Sequence, residues 1–358
     1  MTHYEQRLEH DQKQIQKKVA KLSSRVEKGL RNTIEALLKK DHELAYATII
    51  GDNSINRDFD EINKLCHAFV ARHLPSAGHL RRINSILQFN IEMERIGDYA
   101  VNICWQAVNF KLPLHKTMTR HIELLSSEAQ HILHQSITAF VDDNYELAKN
   151  TIASVRTIDK MFVNAFYDLS DETNRDNWPL EDLYGMVIVY KSLSRVVDQS
   201  NNICEKTIFT VTGETKGTSP VKILFVDEKN DLSLMAELIT KRIFPNSTEC
   251  TSCGINPVKS DPVFVDFMSG CGFDLSERSP NFFNLVNNLD EFDIIISLQQ
   301  PINSYLQKQP LKTIIVDWII DLDSAFDKKN EKQLEIIYKE ILYKIQDLMK
   351  VMRGEEAL

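Results

Sequence analysis

The stretch IEMERIGDYAVNIC, residues 91–104, sets two carboxylates, Glu94 and Asp98, one helical turn apart within a mostly apolar run. In a helix, positions 94, 98 and 102 share one face, so Glu94, Asp98 and Asn102 project together. Such a row of oxygen donors is costly to bury unless something positive sits against it. A hard or borderline metal ion would meet that demand, held by carboxylate and amide oxygens from facing helices of a bundle. The competing explanation for a single ExxxD is a solvated acidic stripe paired with Arg95-type neighbours or lysines.

One hundred residues later the chain reads SRVVDQSNNIC, residues 194–204. Arg, Asp, Asn, Ile and Cys return in the same order, and the glutamate is replaced by Ser194. Asp198 and Asn202 keep the offset of Asp98 and Asn102, while Asp52 and Asp159 occur at matching places in the preceding segments. Recurrence shifts the balance from an accidental stripe toward a shared function. The lost glutamate predicts one competent metal face and one eroded one. The histidines add little: His131 and His134 lie one turn apart without an acid placed beside them and are expected in solvent, and His67, His73 and His79 share no helix face.

The elements that position these acids are helices. Up to about residue 210 glycine is rare, and Leu, Ile, Ala and Val recur at helical spacing. The pattern predicts helices over about 4–39, 41–73 and 76–109, closed by Leu112-Pro113, and then a second set over about 116–140, 143–169 and 179–211. Leu74-Pro75-Ser76 and the polar SDETNRDNWP mark the turns. Glu43-Leu44-Ala45 is echoed by Glu146-Leu147-Ala148, and 52–56 by 155–159, so the duplication spans more than one helix. Two antiparallel three-helix bundles follow, repeat 1 over about 1–112 and repeat 2 over about 114–212.

The segment GETKGTSP reads as a linker, centred on 216–220. Beyond it the chain changes class. VKILFV (221–226), DIIISL (293–298) and LKTIIVDW (311–318) read as buried strands. DLSLMAELITKRIF reads as a helix, and Leu334, Ile337, Ile341, Ile345, Leu348 and Met352 mark a closing one. Alternating strands and helices predict a small α/β domain with a parallel sheet over 221–352. The fold class expected is therefore multidomain, all-α followed by α/β.

Length and composition agree with two domains: 358 residues, 43% hydrophobic and 26% charged. A formal net charge of −9 argues against a nucleic-acid duplex as partner. No apolar run is long enough for a transmembrane helix and the N-terminus has no signal-peptide core, so a cytoplasmic location is expected. Six cysteines are too sparse for a disulfide scaffold. Cys66, Cys104 and Cys204 fall in apolar helical patterns, and Cys250-Thr-Ser-Cys253 lacks the second ligand pair a zinc site needs.

The motif ERIGDYAVNI, with the upstream HLPSAGHLRRI and the ending FTVTGE (209–214), resembles the PhoU family of phosphate-uptake regulators. The resemblance covers about residues 1–215. It implies a metal-binding, non-enzymatic regulator of a phosphate ABC transporter and its sensor histidine kinase. Contact with the transporter would be through its ATPase subunit, with an iron or zinc site on the acidic motif and a homodimer left open. Residue by residue, the metal ligands it implies are Glu94, Asp98 and Asp52 in the first unit. In the second they are Asp198 with Asp159, Val155 standing where Asp52 should recur.

ILFVDEKNDLSLMAELI (223–239), TSCGINPVKSDPVFVDFMSGCGFDLS (251–276), DIIISL and VDWIIDLD (316–323) resemble, in order, the low-molecular-weight protein tyrosine phosphatases and related arsenate reductases. There the first loop begins with a nucleophilic Cys and ends with an anion-binding Arg. Here Asp227 stands at the first place and Ser233 near the second, with Asn230 between them in a degenerate anion loop. Asp321 and Asp323 are the candidates for the family's late acid. Without thiolate or guanidinium the chemistry does not carry over, and the domain is expected to be inactive. The alternative is a phosphatase or arsenate reductase with a relocated nucleophile, Cys250 or Cys253. An aspartyl-phosphate reading of Asp227-Glu228 fails at Lys229, where a second Asp is expected, and a metal-storage bundle is disfavoured by the eroded second face.

Overall fold

The computed structural model describes residues 3–170, 179–213, 220–275, 279–286, 289–304, 306, 310, 313–320 and 331–353. Residues 171–178, where the sequence predicts a turn, most of the expected linker, and Asp321 and Asp323 lie outside the described residues. Two compact units divide the chain, Met1–Gly217 and Thr218–Leu358.

The first unit contains α1 (His3–Lys39), α2 (His42–Gly51), α3 (Asn53–His73), α4 (Ala77–Asn109), α5 (Lys116–Val141), α6 (Tyr145–Ser170) and α7 (Leu180–Thr212). On α1, Ile15, Val19, Leu22, Val26, Leu30, Ile34 and Leu37 are buried, a stripe at intervals of three and four that faces the core. The duplication holds down to single backbone angles. Lys40 (φ 54°) and Asp143 (φ 51°) take left-handed conformations at the same place in each repeat. Each precedes a helix-capping side chain: Asp41 accepts from the Leu44 N–H at 2.9 Å and Asn144 from the Leu147 N–H at 3.0 Å. Beneath each cap lies the same small-residue cluster, Ala36, Ala45 and Cys104 in one repeat and Ala139, Ala148 and Cys204 in the other. The two repeats share one continuous core, with Phe89 stacked on Phe140 at 4.3 Å between them.

The single helix expected over 41–73 is two. It breaks at Asp52, whose N–H is shared between the Thr48 and Ile49 carbonyls at 3.2 and 3.3 Å. Gly51 contributes no side chain to stiffen the joint, whereas in repeat 2 the matching Ser154-Val155 lies inside the uninterrupted α6.

The second unit holds a four-stranded parallel sheet in the order β2-β1-β3-β4, from β1 (Val221–Asp227), β2 (Thr248–Gly254), β3 (Ile294–Ser297) and β4 (Ile314–Asp317). Alternate residues point to opposite faces. Ile223, Phe225, Ile294 and Ile296 pack with α8 (Leu232–Ile243), α9 (Pro262–Gly270) and α10 (Glu331–Arg353), while Leu224, Val226 and Ile295 pack with Phe283 and Ile302. Sequence periodicity left β2 and α9 unassigned. On β2 the residues are Thr, Cys and Ser rather than branched hydrophobics. The short α9 is set by Asp261, which accepts from the Val263 N–H at 2.9 Å, and by Pro262 in its first turn. On α10 the buried face closes at Met349; Met352 is exposed.

Candidate functional site

At the helix break at Asp52 three carboxylates, Asp52, Glu94 and Asp98, lie within electrostatic reach of one another. A Cβ placed on Gly97 would lie 3.0 Å from Asp52 Oδ1 and 3.3 Å from Ile55, so a side chain there would crowd the α2–α3 joint against α4. A mid-helix glycine costs about 1 kcal/mol, which close approach offsets. Asp52 Oδ2 accepts from Asn56 Nδ2 at 3.0 Å. Glu94 is half-buried beside it, and Asp98 and Asn102 are exposed on α4. Partial burial raises all three carboxyl pKa values. The Asp98 charge raises those of Asp52 and Glu94 further, and Asp52 adds to the shift at Glu94. No ion pair neutralises any of the three among the described residues; the neighbouring Arg95 turns to Glu92 at 3.7 Å. The donors thus suit a hard cation in kind and charge. They do not yet form a closed shell: among the described residues no three His, Cys, Asp or Glu side chains are arranged to hold an ion.

The matching place in repeat 2 is built differently. Val155 replaces Asp52 and Val197 replaces Gly97, both buried in the core. Ser194 replaces Glu94, and Asp198 accepts from Arg195 Nη1 at 3.2 Å. Arg195 is free to do so because the partner of Arg95, Glu92, has become Ser192. Asp159, at the position matching Asn56, is half-buried one turn beyond Val155. Sequence reasoning found the missing acid but passed over the Gly97/Val197 exchange, for which the pairing of Gly97-Asp98 with Val197-Asp198 was the available signal.

His131 and His134 are exposed, as expected, although His134 Nδ1 meets Glu27 Oε1 of α1 at 2.9 Å, a partner the local pattern could not place. His73 is buried against α1, its Nε2 3.0 Å from Asp11 Oδ2.

In the second unit, the loop after β1 lies at the carboxyl end of the sheet, where the order turns from β1 outward to either side, the usual ligand position in such sheets. Asp227 occupies it. Its carboxylate is 3% exposed and accepts from the N–H groups of Asn230 (2.8 Å), Asp231 (3.3 Å) and Leu232 (3.1 Å) and from Ser233 Oγ (2.7 Å). Burial pushes its pKa up, while the donors, Ser233 foremost, favour the ionised form. Asn230 adopts φ 67°, held by Nδ2 donating to Ser233 Oγ at 2.9 Å and by Oδ1 accepting from the Asn281 N–H at 2.9 Å. Gly254 permits the close crossing of β2, since a Cβ there would sit 2.9 Å from the Asn230 nitrogen.

Neither cysteine of the CxxC pair is placed for nucleophilic chemistry. Both lie buried on β2, and burial pushes their thiols up to about 11 for Cys250 and about 12 for Cys253. Cys66, Cys104 and Cys204 are buried too, as their helical patterns implied.

Residues 19–107 and 122–207 match the PhoU domain. The chain is 26% identical over 207 residues to the phosphate-specific transport system accessory protein PhoU homolog of Clostridium acetobutylicum, covering 58% of this chain and 94% of that protein. The crystal structure of PhoU from Pseudomonas aeruginosa superposes with a TM-score of 0.54 at 25% identity, over 57% of this chain and 99% of its own. A solved arsenate reductase in the phosphate binding state is 24% identical, over 36% of this chain and 95% of its own, with a TM-score of 0.31. Both repeats of the helical unit are thus similar to the PhoU domain.

Proposed function

We propose that the protein is a non-enzymatic accessory regulator of phosphate transport. It works in the cytoplasm through protein contacts with the ATPase subunit of a phosphate ABC transporter and with its sensor histidine kinase. The observation that carries this reading is the pair of PhoU-domain matches spanning both repeats, together with relatives described as transport accessory proteins. No described helix is long and apolar enough to cross a membrane, so membrane association would come through such partners. The acidic face of repeat 1, Asp52, Glu94 and Asp98, takes a divalent or trivalent metal ion such as iron or zinc. Asp198 and Asp159 of repeat 2 do not form a second equivalent site. The test is binding of the purified full chain to the ATPase subunit and kinase from the same organism: saturable binding to either supports the proposal, and binding to neither overturns it.

The second unit does not catalyse in this reading, because its loop carries a carboxylate where a nucleophile would stand and its cysteines are buried thiols. An assay of the full chain with an aryl phosphate and with arsenate should give no turnover. Turnover abolished by Cys253→Ser would establish the enzymatic alternative.

A further inference from the structure

The loop at residues 227–233 has the form of an anion nest. Successive N–H groups of Asn230, Asp231 and Leu232 converge on one point at the start of α8, where the helix has unsatisfied donors and the positive end of its dipole. Ser233 adds a hydroxyl. Such a cradle ordinarily takes a free oxyanion.

We propose that this nest is a working anion site whose ligand is supplied by the chain itself, the carboxylate of Asp227. Three features carry the assignment. The carboxylate is buried, so the donors have no competing water to bind. Both of its oxygens are used, Oδ1 by Asn230 and Ser233 and Oδ2 by Asp231 and Leu232, the bidentate pattern of a bound anion. The supporting shell is also complete. Asn230 is locked by Ser233 and Asn281, and the Asp231 side chain accepts from Ser260 Oγ at 2.7 Å.

The functional consequence is that the second unit holds the shape of an anion-loaded loop at every concentration of free phosphate or arsenate. It reports no oxyanion level to a partner; it presents a constant surface. This goes beyond the regulator reading and does not depend on it.

The test uses the full chain and hydrogen exchange at the amides of 229–234, with formate and inorganic phosphate as probes and chloride at equal ionic strength as control. Asp227→Ala removes the built-in anion. Exchange at these amides should then rise by about tenfold or more, the loss of one charge-assisted hydrogen bond. Formate, which restores a carboxylate to the vacated space, should reverse the rise in the variant and leave the wild type unmoved. Protection that survives Asp227→Ala, or formate or phosphate altering the wild type as much as the variant, would overturn the proposal. If Asp227→Ala does not fold, Asp227→Asn decides: its amide nitrogen faces donors that a carboxylate oxygen served, so the amides on that side should lose protection, and unchanged protection at all of them would again overturn it.

Discussion

Repeats 1 and 2 share one plan and differ most tellingly at the acidic face. Their helix caps, left-handed residues and alanine–cysteine clusters superpose position by position. At the acidic face they do not. Repeat 1 has Asp52, Glu94, Gly97 and Asp98; repeat 2 has Val155, Ser194, Val197 and Asp198. The exchanges are complementary in size. A glycine makes room for an aspartate, and where the aspartate becomes valine the room is filled by a second valine. A single remaining acid is then satisfied by the arginine one turn away. The difference teaches that scaffold and site answer to separate constraints: packing preserved the bundle in both copies, while uncompensated charge was kept in one.

The comparison can be broken most forcefully by grafting repeat 2 onto repeat 1. Gly97→Val alone should overpack the α2–α3 joint against α4 for a net loss of about 1–2 kcal/mol, read as a Tm lower by about 4 °C. Adding Asp52→Val, to recreate the Val155/Val197 pair, should recover most of that loss. A double-mutant cycle with no coupling would show that the two positions do not share space.

A smaller effect concerns pH. Asp52, Glu94 and Asp98 have folded-state pKa values raised above the ordinary carboxylate range near 4. The folded state therefore holds protons that the unfolded state has released, and stability falls as pH rises through that window, with the full cost present above the folded pKa values. Thermal melts should show this fall as pH rises above the unfolded carboxylate range near 4, and Glu94→Gln with Asp98→Asn should flatten it. At neutral pH the double variant should be at least as stable as the wild type. A steeper slope in the variant would contradict the mutual repulsion inferred here.

The smallest effect is expected in repeat 2. Asp198 is half-buried and ion-paired to Arg195, so Asp198→Asn should change stability by no more than about 0.5 kcal/mol in denaturant titration. A larger loss would mean that repeat 2 retains an organised acidic site.

Much of this contrast was legible in the sequence. The doubled motif, the lost glutamate and the change to α/β periodicity after residue 220 all stand in the residue order. Local pattern could not supply the contacts made across the fold. Asp52 lies in a run that reads as continuous helix, and the break there has meaning only because Gly97, 45 residues away, leaves room for it. Asp227 at a strand end reads as a lost nucleophile. That its carboxylate turns back onto the loop's own N–H groups depends on the left-handed Asn230 and on Asn281, which no spacing rule connects. Strand β2 escaped because edge strands of Thr, Ser and Cys carry little hydrophobic signal.

The proposed function includes a metal ion on the acidic face of repeat 1, and the direct measurement is metal stoichiometry and affinity of the purified full chain, by elemental analysis and calorimetry with iron and zinc. About one equivalent should bind to the wild type and to Asp198→Asn, with affinity falling by about tenfold or more in Glu94→Gln with Asp98→Asn. Undiminished binding in that double variant, or loss of binding in Asp198→Asn, would contradict it.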